Sequence, residues 1–97
     1  MRLVFHPKVY SDIVQVMEYY ERVASADLAG EFYAELRLLV REAAKRPESF
    51  PIREGDIRRA NLRRFPYHFL FRITNDAVRI LVVRHHRREP SLGTERR

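Results

Sequence analysis

The stretch that decides the fold is residues 57–90, IRRANLRRFPYHFLFRITNDAVRILVVRHHRREP. Three short runs, 57–62, Tyr67–Thr74 and Ala77–His85, read as strands, the last two rich in aromatic and β-branched residues. Asn75-Asp76 lies between the last two runs, and both residue types tolerate the positive φ of a tight hairpin turn. The link Arg63-Arg64, just before Phe65-Pro66, separates the first two. The same stretch carries an unusual load of arginine and histidine, and nothing else in the chain has that combination.

Outward from this stretch the pattern changes. Downstream, residues 91–97 are polar and expected to fray. Upstream, residues 52–56 (IREGD) read as a polar loop, and Pro47-Glu48-Ser49-Phe50-Pro51 ends a helical region. Within that region Leu28, Phe32, Leu36, Leu39 and Ala43 form one stripe at helical spacing, widened by Ala29, Tyr33, Val40 and Ala44. Ser25 is the expected N-cap of this helix, with Asp27 favourably placed in its first turn. An earlier stripe, Val9, Ile13, Val16, Met17 and Tyr20, predicts a first helix, with Phe5 stapling to Tyr10 across His6-Pro7. Residues 2–6 (RLVFH) read as a first strand. The order is β-α-α-β-β-β. Helices and strands segregate, so the fold class is α+β: a helical hairpin packed on one face of a small, largely antiparallel four-stranded sheet. The first strand belongs beside the last, whose apolar run looks central.

Strand alternation assigns the faces. Tyr67, Phe69, Phe71, Ile73, Val78, Ile80, Val82, Ala60 and Leu62 are expected to meet the helices. The open face then presents Leu70, Leu81 and Val83, with Arg59, Arg72, Arg79, His85 and Arg87 around them. An apolar strip rimmed by arginine suits an amphipathic segment with acidic residues. A single bulge would reverse these assignments.

Composition sets outer limits. Ninety-seven residues, 45% hydrophobic, make one domain spanning 1–97 with a modest core. The absence of cysteine excludes a disulfide framework and a zinc–thiolate site, and fits a reducing cytoplasm. No apolar run approaches the roughly 18 residues of a membrane span, and Arg2, His6 and Lys8 interrupt any signal-peptide core. The net charge of +6 is segregated. Residues 1–50 carry seven Lys/Arg against eight Asp/Glu, whereas residues 51–97 carry twelve Arg against five Asp/Glu. Only Lys8 and Lys45 are lysines. Arginine pairs bidentately with phosphate and carboxylate, so the second half should attract nucleic acid or an acidic protein segment.

At this point the residues resemble a known family. Arg58-Arg59, then Leu62-Arg63-Arg64-Phe65-Pro66-Tyr67, Phe71-Arg72, an Ile/Val-rich strand and His86-Arg87-Arg88-x-Pro90 resemble the RelE/ParE superfamily of type II toxins, often labelled plasmid-stabilisation proteins. Asp12, Tyr19-Tyr20 and the Pro47…Phe50-Pro51 punctuation match too, so the resemblance spans about residues 4–90. It implies a toxin neutralised by a cognate antitoxin, in a toxin–antitoxin hetero-oligomer or with a toxin homodimer. The superfamily divides on mechanism: RelE-like members cut mRNA in the ribosomal A site, and ParE-like members poison DNA gyrase. RelE-like nucleases commonly carry a lysine cluster and a C-terminal aromatic; here lysines are absent from the basic half and no aromatic follows Phe71. The arginine-rich terminus is of the compact ParE-like kind. On its ParE-like side the resemblance implies gyrase inhibition without enzymatic activity. The alternatives are a ribosome-dependent mRNA endoribonuclease and a non-toxic member that only binds its antitoxin.

Candidate site residues follow. Cleaving RNA through its 2′-OH needs proton transfer and positive charge near the phosphate, which assigns His85, His86 and Arg87 as the catalytic candidates of the nuclease alternative. Binding of antitoxin, target or phosphate falls to Arg59, Arg63, Arg64, Arg72, Arg79, Leu81, Val83, Arg87 and Arg88. Tyr19, Tyr20 and Tyr33 are expected in the helix-hairpin core. No metal site is expected, because His85-His86 lack a third ligand, and no cofactor is implied.

Overall fold

The computed structural model describes all 97 residues, Met1–Arg97. Strand β1 (Arg2–Phe5) leads to helices α1 (Val9–Val23) and α2 (Ala26–Lys45), a 3₁₀ turn (Pro47–Ser49), and strands β2 (Ile52–Glu54), β3 (Ile57–Asn61), β4 (Tyr67–Thr74) and β5 (Ala77–His85). The class is the expected α+β, with the helical pair on one face of a mixed, mostly antiparallel sheet.

Local chemistry explains the helix boundaries. The Ser25 hydroxyl accepts the Leu28 N–H at 3.1 Å, capping α2 as expected. Arg46 leaves helical geometry at φ −137° because Pro47 follows, and the 3₁₀ turn begins there. Before α1, the His6 Nδ1 accepts the Lys8 N–H at 3.1 Å. The Phe5–Tyr10 staple does not form, since Tyr10 is 77% exposed.

The strand order is β1-β5-β4-β3-β2. β1 runs parallel to β5, with Leu3 opposite Val78, and every other pairing is antiparallel. The sheet therefore has five strands where four were expected. β2 is a three-residue edge strand, exposed throughout and irregularly paired with β3, so it carries no apolar alternation to betray it. Asn75 turns the β4–β5 hairpin at φ 45°.

One core lies between helices and sheet. Val9, Val16, Phe32, Leu36, Val40 and Ala43 meet Ala60, Leu62, Phe65, Tyr67, Phe69, Phe71, Val78, Ile80 and Val83. Tyr20, Phe32, Phe65 and Tyr67 interlock, with centroids 5.3–6.1 Å apart and mostly edge-to-face. Burying side chains of this size contributes about 1.5–3 kcal/mol each. Tyr19 and Tyr33, expected in that core, stand half-exposed, with Arg22 and Arg37 over their rings.

A β-bulge decides what the sheet shows on its other side. Leu70 pairs with Val82 while Phe71 pairs with Ile80, so Leu81 is an extra residue in β5. Beyond it the alternation reverses. Val83 joins the helix-side core, and Val82 joins Leu81, Leu70 and Ile57 in a second cluster on the outer face. The expected placement of Val82 inward and Val83 outward is thereby inverted, and His85 moves with Val83 to the helix side.

The outer cluster is not open. Leu70, Leu81 and Val82 are fully buried, because residues 91–97 fold back across them instead of fraying. Gly93 (φ 84°) lies on Val82 so closely that an added Cβ would come 2.5 Å from the valine Cβ. No helix is long and apolar enough to cross a membrane.

Candidate functional site

The outer face has two cationic ends separated by the covered apolar middle. At one end β4 and β5 place His68 opposite Arg84. Both are nearly inaccessible, at 1% and 3% exposure. The Arg84 Nε donates to His68 Nε2 at 2.9 Å, and its Nη1 donates to the carbonyls of Leu92 at 2.6 Å, Pro90 at 2.8 Å and, more weakly, Glu89 at 3.4 Å. Arg84 thus clamps the returning tail onto the sheet.

This arrangement fixes the protons of the neighbouring rings. Arginine has no acceptor, so His68 Nε2 must be the bare nitrogen and its Nδ1 carries the hydrogen. That Nδ1 lies 2.9 Å from His86 Nδ1, in rings 14° from parallel. His86 Nδ1 is therefore an acceptor, and Arg59 Nη2 approaches the same atom at 3.3 Å. What remains on His86 is an Nε2–H donor. Burial, followed by the charges of Arg59 and Arg84, pushes the His68 pKa down to about 3. Burial and then Arg59 lower that of His86. Arg59 also donates to Asn61 Oδ1 at 2.7 Å, and burial followed by Arg53 lowers its own pKa.

At the other end Arg72 and Arg79 are directly cross-strand. The Arg72 Nε lies 3.4 Å from Asp56 Oδ2, an ion pair without hydrogen-bond geometry, Arg79 donates to the Arg97 carbonyl at 2.5 Å, and the Arg79 Nε is buried without a hydrogen-bond partner. Around the sheet edge the tail is held a second time. Asp12 on α1 pairs with Arg96 (2.7 Å and 3.3 Å) and accepts the Val83 N–H at 3.1 Å, while Arg96 also reaches the Leu81 carbonyl at 3.0 Å.

The expected site residues are thus dispersed. Arg59 and His86 come together at the upper end of the outer face. His85 does not join them; it packs edge-on against Tyr67 with centroids 5.0 Å apart, and its Nδ1 accepts the Arg87 N–H at 3.0 Å. Arg87 and Arg88 are exposed on the turn after β5, with Arg88 beside Tyr19, Tyr67 and His85 on the helix side. Arg63 and Arg64 face α2: their N–H groups bond Glu35 at 2.5 Å and 3.3 Å, and the Arg64 guanidinium pairs with Glu31 at 2.6 Å. Leu81 lies under the tail and Val83 in the main core, so neither offers apolar surface to a partner. Sequence reasoning missed Arg53, Arg84 and the central role of His68. The one available signal was an arginine interrupting the apolar run at position 84, and its facing partner depends on the bulge. No group of three or more His, Cys, Asp or Glu side chains could hold a metal.

A separate apolar depression lies between the helices and the β1 edge, lined by Leu3, Phe5, Ile13, Tyr33, Leu36 and Val40, with Arg37 and Arg41 also in its lining. Phe5 and Tyr33 are half-exposed in its wall.

Comparison with known proteins agrees with this architecture. The solved chromosomal ParDE toxin–antitoxin system of P. aeruginosa contains a chain that superposes with a TM-score of 0.79, covering 88% of this chain and 95% of that one at 18% identity. No curated protein matches by sequence. The family model described as the ParE toxin of the type II toxin–antitoxin system parDE matches residues 3–90. The chain belongs to the ParE toxin family of type II toxin–antitoxin modules.

Proposed function

We propose that this toxin acts by binding DNA gyrase, without catalysis, and that its cognate antitoxin silences it through an acidic amphipathic segment. The observation that carries the non-catalytic reading is the commitment of the histidine lone pairs. A general base needs a bare nitrogen facing the substrate. The bare nitrogen of His68 is held by Arg84, that of His86 by His68 and Arg59, and the His85 Nδ1 by the Arg87 amide. Neither His85 nor His86 therefore presents a free base beside Arg87.

The antitoxin reading moves with the covered strip. With Leu70, Leu81 and Val82 beneath the tail, the accessible apolar surface with cations beside it is the depression at Leu3, Phe5, Ile13 and Tyr33, near Arg37 and Arg41. An amphipathic segment seats its apolar side there and its carboxylates on the two arginines. Half-exposed Arg59 and exposed Arg87 and Arg88, none of them in an ion pair, are left for the target.

A second reading, ribosome-dependent mRNA cleavage, draws support from the exposed His86 ring beside Arg59. Supercoiling by purified gyrase, run beside mRNA cleavage in a translation extract, tests both. Inhibited supercoiling with intact mRNA is the expected result. Cleaved mRNA with unimpaired gyrase would transfer the assignment to the second reading. Silence in both assays, with unaffected growth on expression, would identify a member that only binds its antitoxin.

A further inference from the structure

Five of the chain's seventeen arginines have an anion. Arg2, Arg46, Arg64, Arg72 and Arg96 each pair with a carboxylate. The upper end of the outer face gathers three of the unpaired ones. Arg53, Arg59 and Arg84 have no carboxylate partner; Arg59 approaches His86 at 3.3 Å, Arg84 donates at 2.9 Å to His68 stacked beside it, and the charge of Arg53 acts on both arginines. Gathering like charges is unfavourable, and it persists only where the fold holds them in place. Here the fold does so on three strands: Arg53 from β2, Arg59 from β3 and Arg84 from β5.

We infer that this cluster is a docking site for the phosphodiester backbone of a nucleic acid, with Arg59, Arg53 and the His86 Nε2–H as its donors. Arg84 sits behind them. Its Nε and Nη1 are committed to His68 and the tail, so it supplies fixed positive charge, not a contact. The proton chain runs in one direction, from Arg84 to His68 to His86, and turns the exposed ring's N–H toward an acceptor. The neutral His86 ring is a donor in this setting, and a phosphate oxygen is what it and the guanidiniums together can bind.

The surroundings favour a polyanion over an acidic peptide. A docking peptide needs an apolar anchor, and the apolar strip beside the cluster is buried under residues 91–97. The adjoining depression is lined by Arg53, Glu54, Pro90, Ser91 and Thr94, with no large apolar side chain among them. Glu54 is its one carboxylate. A sugar–phosphate backbone asks only for charge and hydrogen-bond donors, and it binds without reference to sequence. The inference does not rest on gyrase as the target, because it concerns the toxin and nucleic acid alone.

Fluorescence anisotropy with a labelled oligothymidylate, a labelled duplex DNA and inorganic phosphate as competitor tests the site. The two charged contacts, Arg53 and Arg59, give a logarithmic salt slope of about −1.4 on the single strand, at about −0.7 per phosphate, and the neutral His86 adds none. Arg53→Gln and Arg59→Gln should each lower the slope's magnitude by about 0.7 and weaken binding several-fold. Arg22→Gln, which removes the same charge from α1, should leave both unchanged. Arg53 makes no side-chain hydrogen bond, so its variant keeps the fold even if Arg59→Gln does not. Equal losses in Arg22→Gln and Arg53→Gln would overturn the site, since net charge would then explain binding. So would absence of binding at low salt. Binding of inorganic phosphate without either nucleic acid would overturn the backbone assignment.

Discussion

Replacing Arg84 by methionine should release the C-terminal segment and destabilise the whole domain. The structure sets the magnitude. Arg84 makes three short bonds, to His68 Nε2 and the Pro90 and Leu92 carbonyls, and one weak bond to Glu89. Hydrogen bonds from a charged donor are worth about 1.5–3 kcal/mol each, which bounds the loss at roughly 4–9 kcal/mol. Two effects reduce it. The three carbonyls lie on a surface segment that can lift into water, and the guanidinium's own burial is a cost that methionine removes. The methionine stem keeps the packing against the sheet. A net loss of about 2–3 kcal/mol remains, or roughly 10–20 °C in Tm at about 4–8 °C per kcal/mol for a domain this size.

Two measurements check it together. Thermal unfolding by circular dichroism gives the Tm, and hydrogen exchange reports the Leu92, Thr94 and Arg96 amides, whose turn bonds depend on the docked tail. In Arg84→Met all three should exchange as free peptide while β4 and β5 stay protected. Arg84→Lys keeps the charge but lacks the planar fork, and should fall between the two. An unchanged Tm with a protected tail would refute the clamp. A lowered Tm with a protected tail would also refute it, because Arg84 would then hold only the strands.

Three further outcomes follow from the same geometry. Gly93→Ala combines a positive φ with a contact 2.5 Å from Val82, and should cost about 1–3 kcal/mol with the tail lifting, whereas Gly30→Ala, which meets nothing in α2, should gain about 1 kcal/mol; paired thermal melts compare them. Asp12→Ala strands a largely buried Arg96 and the Val83 N–H, and should cost about 2–4 kcal/mol by denaturant titration, with Asp12→Asn losing less. His68 has a folded pKa of about 3 against 6.5 unfolded. The unfolded chain therefore binds the extra proton between those values, and the stability contributed by neutral His68 is present above pH 6.5 and lost as pH falls. The slope is about 1.4 kcal/mol per pH unit between roughly 6 and 3. His68→Gln retains an acceptor for Arg84 but cannot titrate, so its melting temperature should fall less between pH 7 and 4; parallel curves would contradict a buried neutral histidine.

Much of this molecule was legible because its signals are periodic. The α2 stripe, the Ser25 cap, the stop at Pro47 and the Asn75-Asp76 turn each follow from local chemistry that no distant contact overrides. β1 beside β5 followed from the apolar run of Ala77–His85. β2 was illegible for the opposite reason: an exposed edge strand is held by backbone bonds, to which side chains testify little. The site suffered most from one residue. Extra Leu81 leaves the composition of β5 untouched yet exchanges the faces of Val82, Val83, Arg84 and His85. No alternation count can detect it, since Ile80-Leu81-Val82-Val83 is apolar at every position and satisfies either phase.

The same bulge explains why a segment as polar as SLGTERR packs on a sheet. With the phase reversed, Arg84 comes to the outer face beside Leu70 and Val82, and a buried guanidinium requires acceptors. The strands can supply only the ring nitrogen of His68. The rest must come from chain that has spare carbonyls, and the tail provides them at Pro90 and Leu92 while Gly93 admits close contact with Val82. Arg96 and Asp12 then close the edge. The tail's own residues carry almost no hydrophobic information because it is anchored through its backbone, and the side chains that order it lie in β5 and α1. An arginine interrupting an apolar strand is thus the legible half of the clamp. Its partner is a carbonyl, which every residue has, and that is why the sequence of the tail alone reads as free.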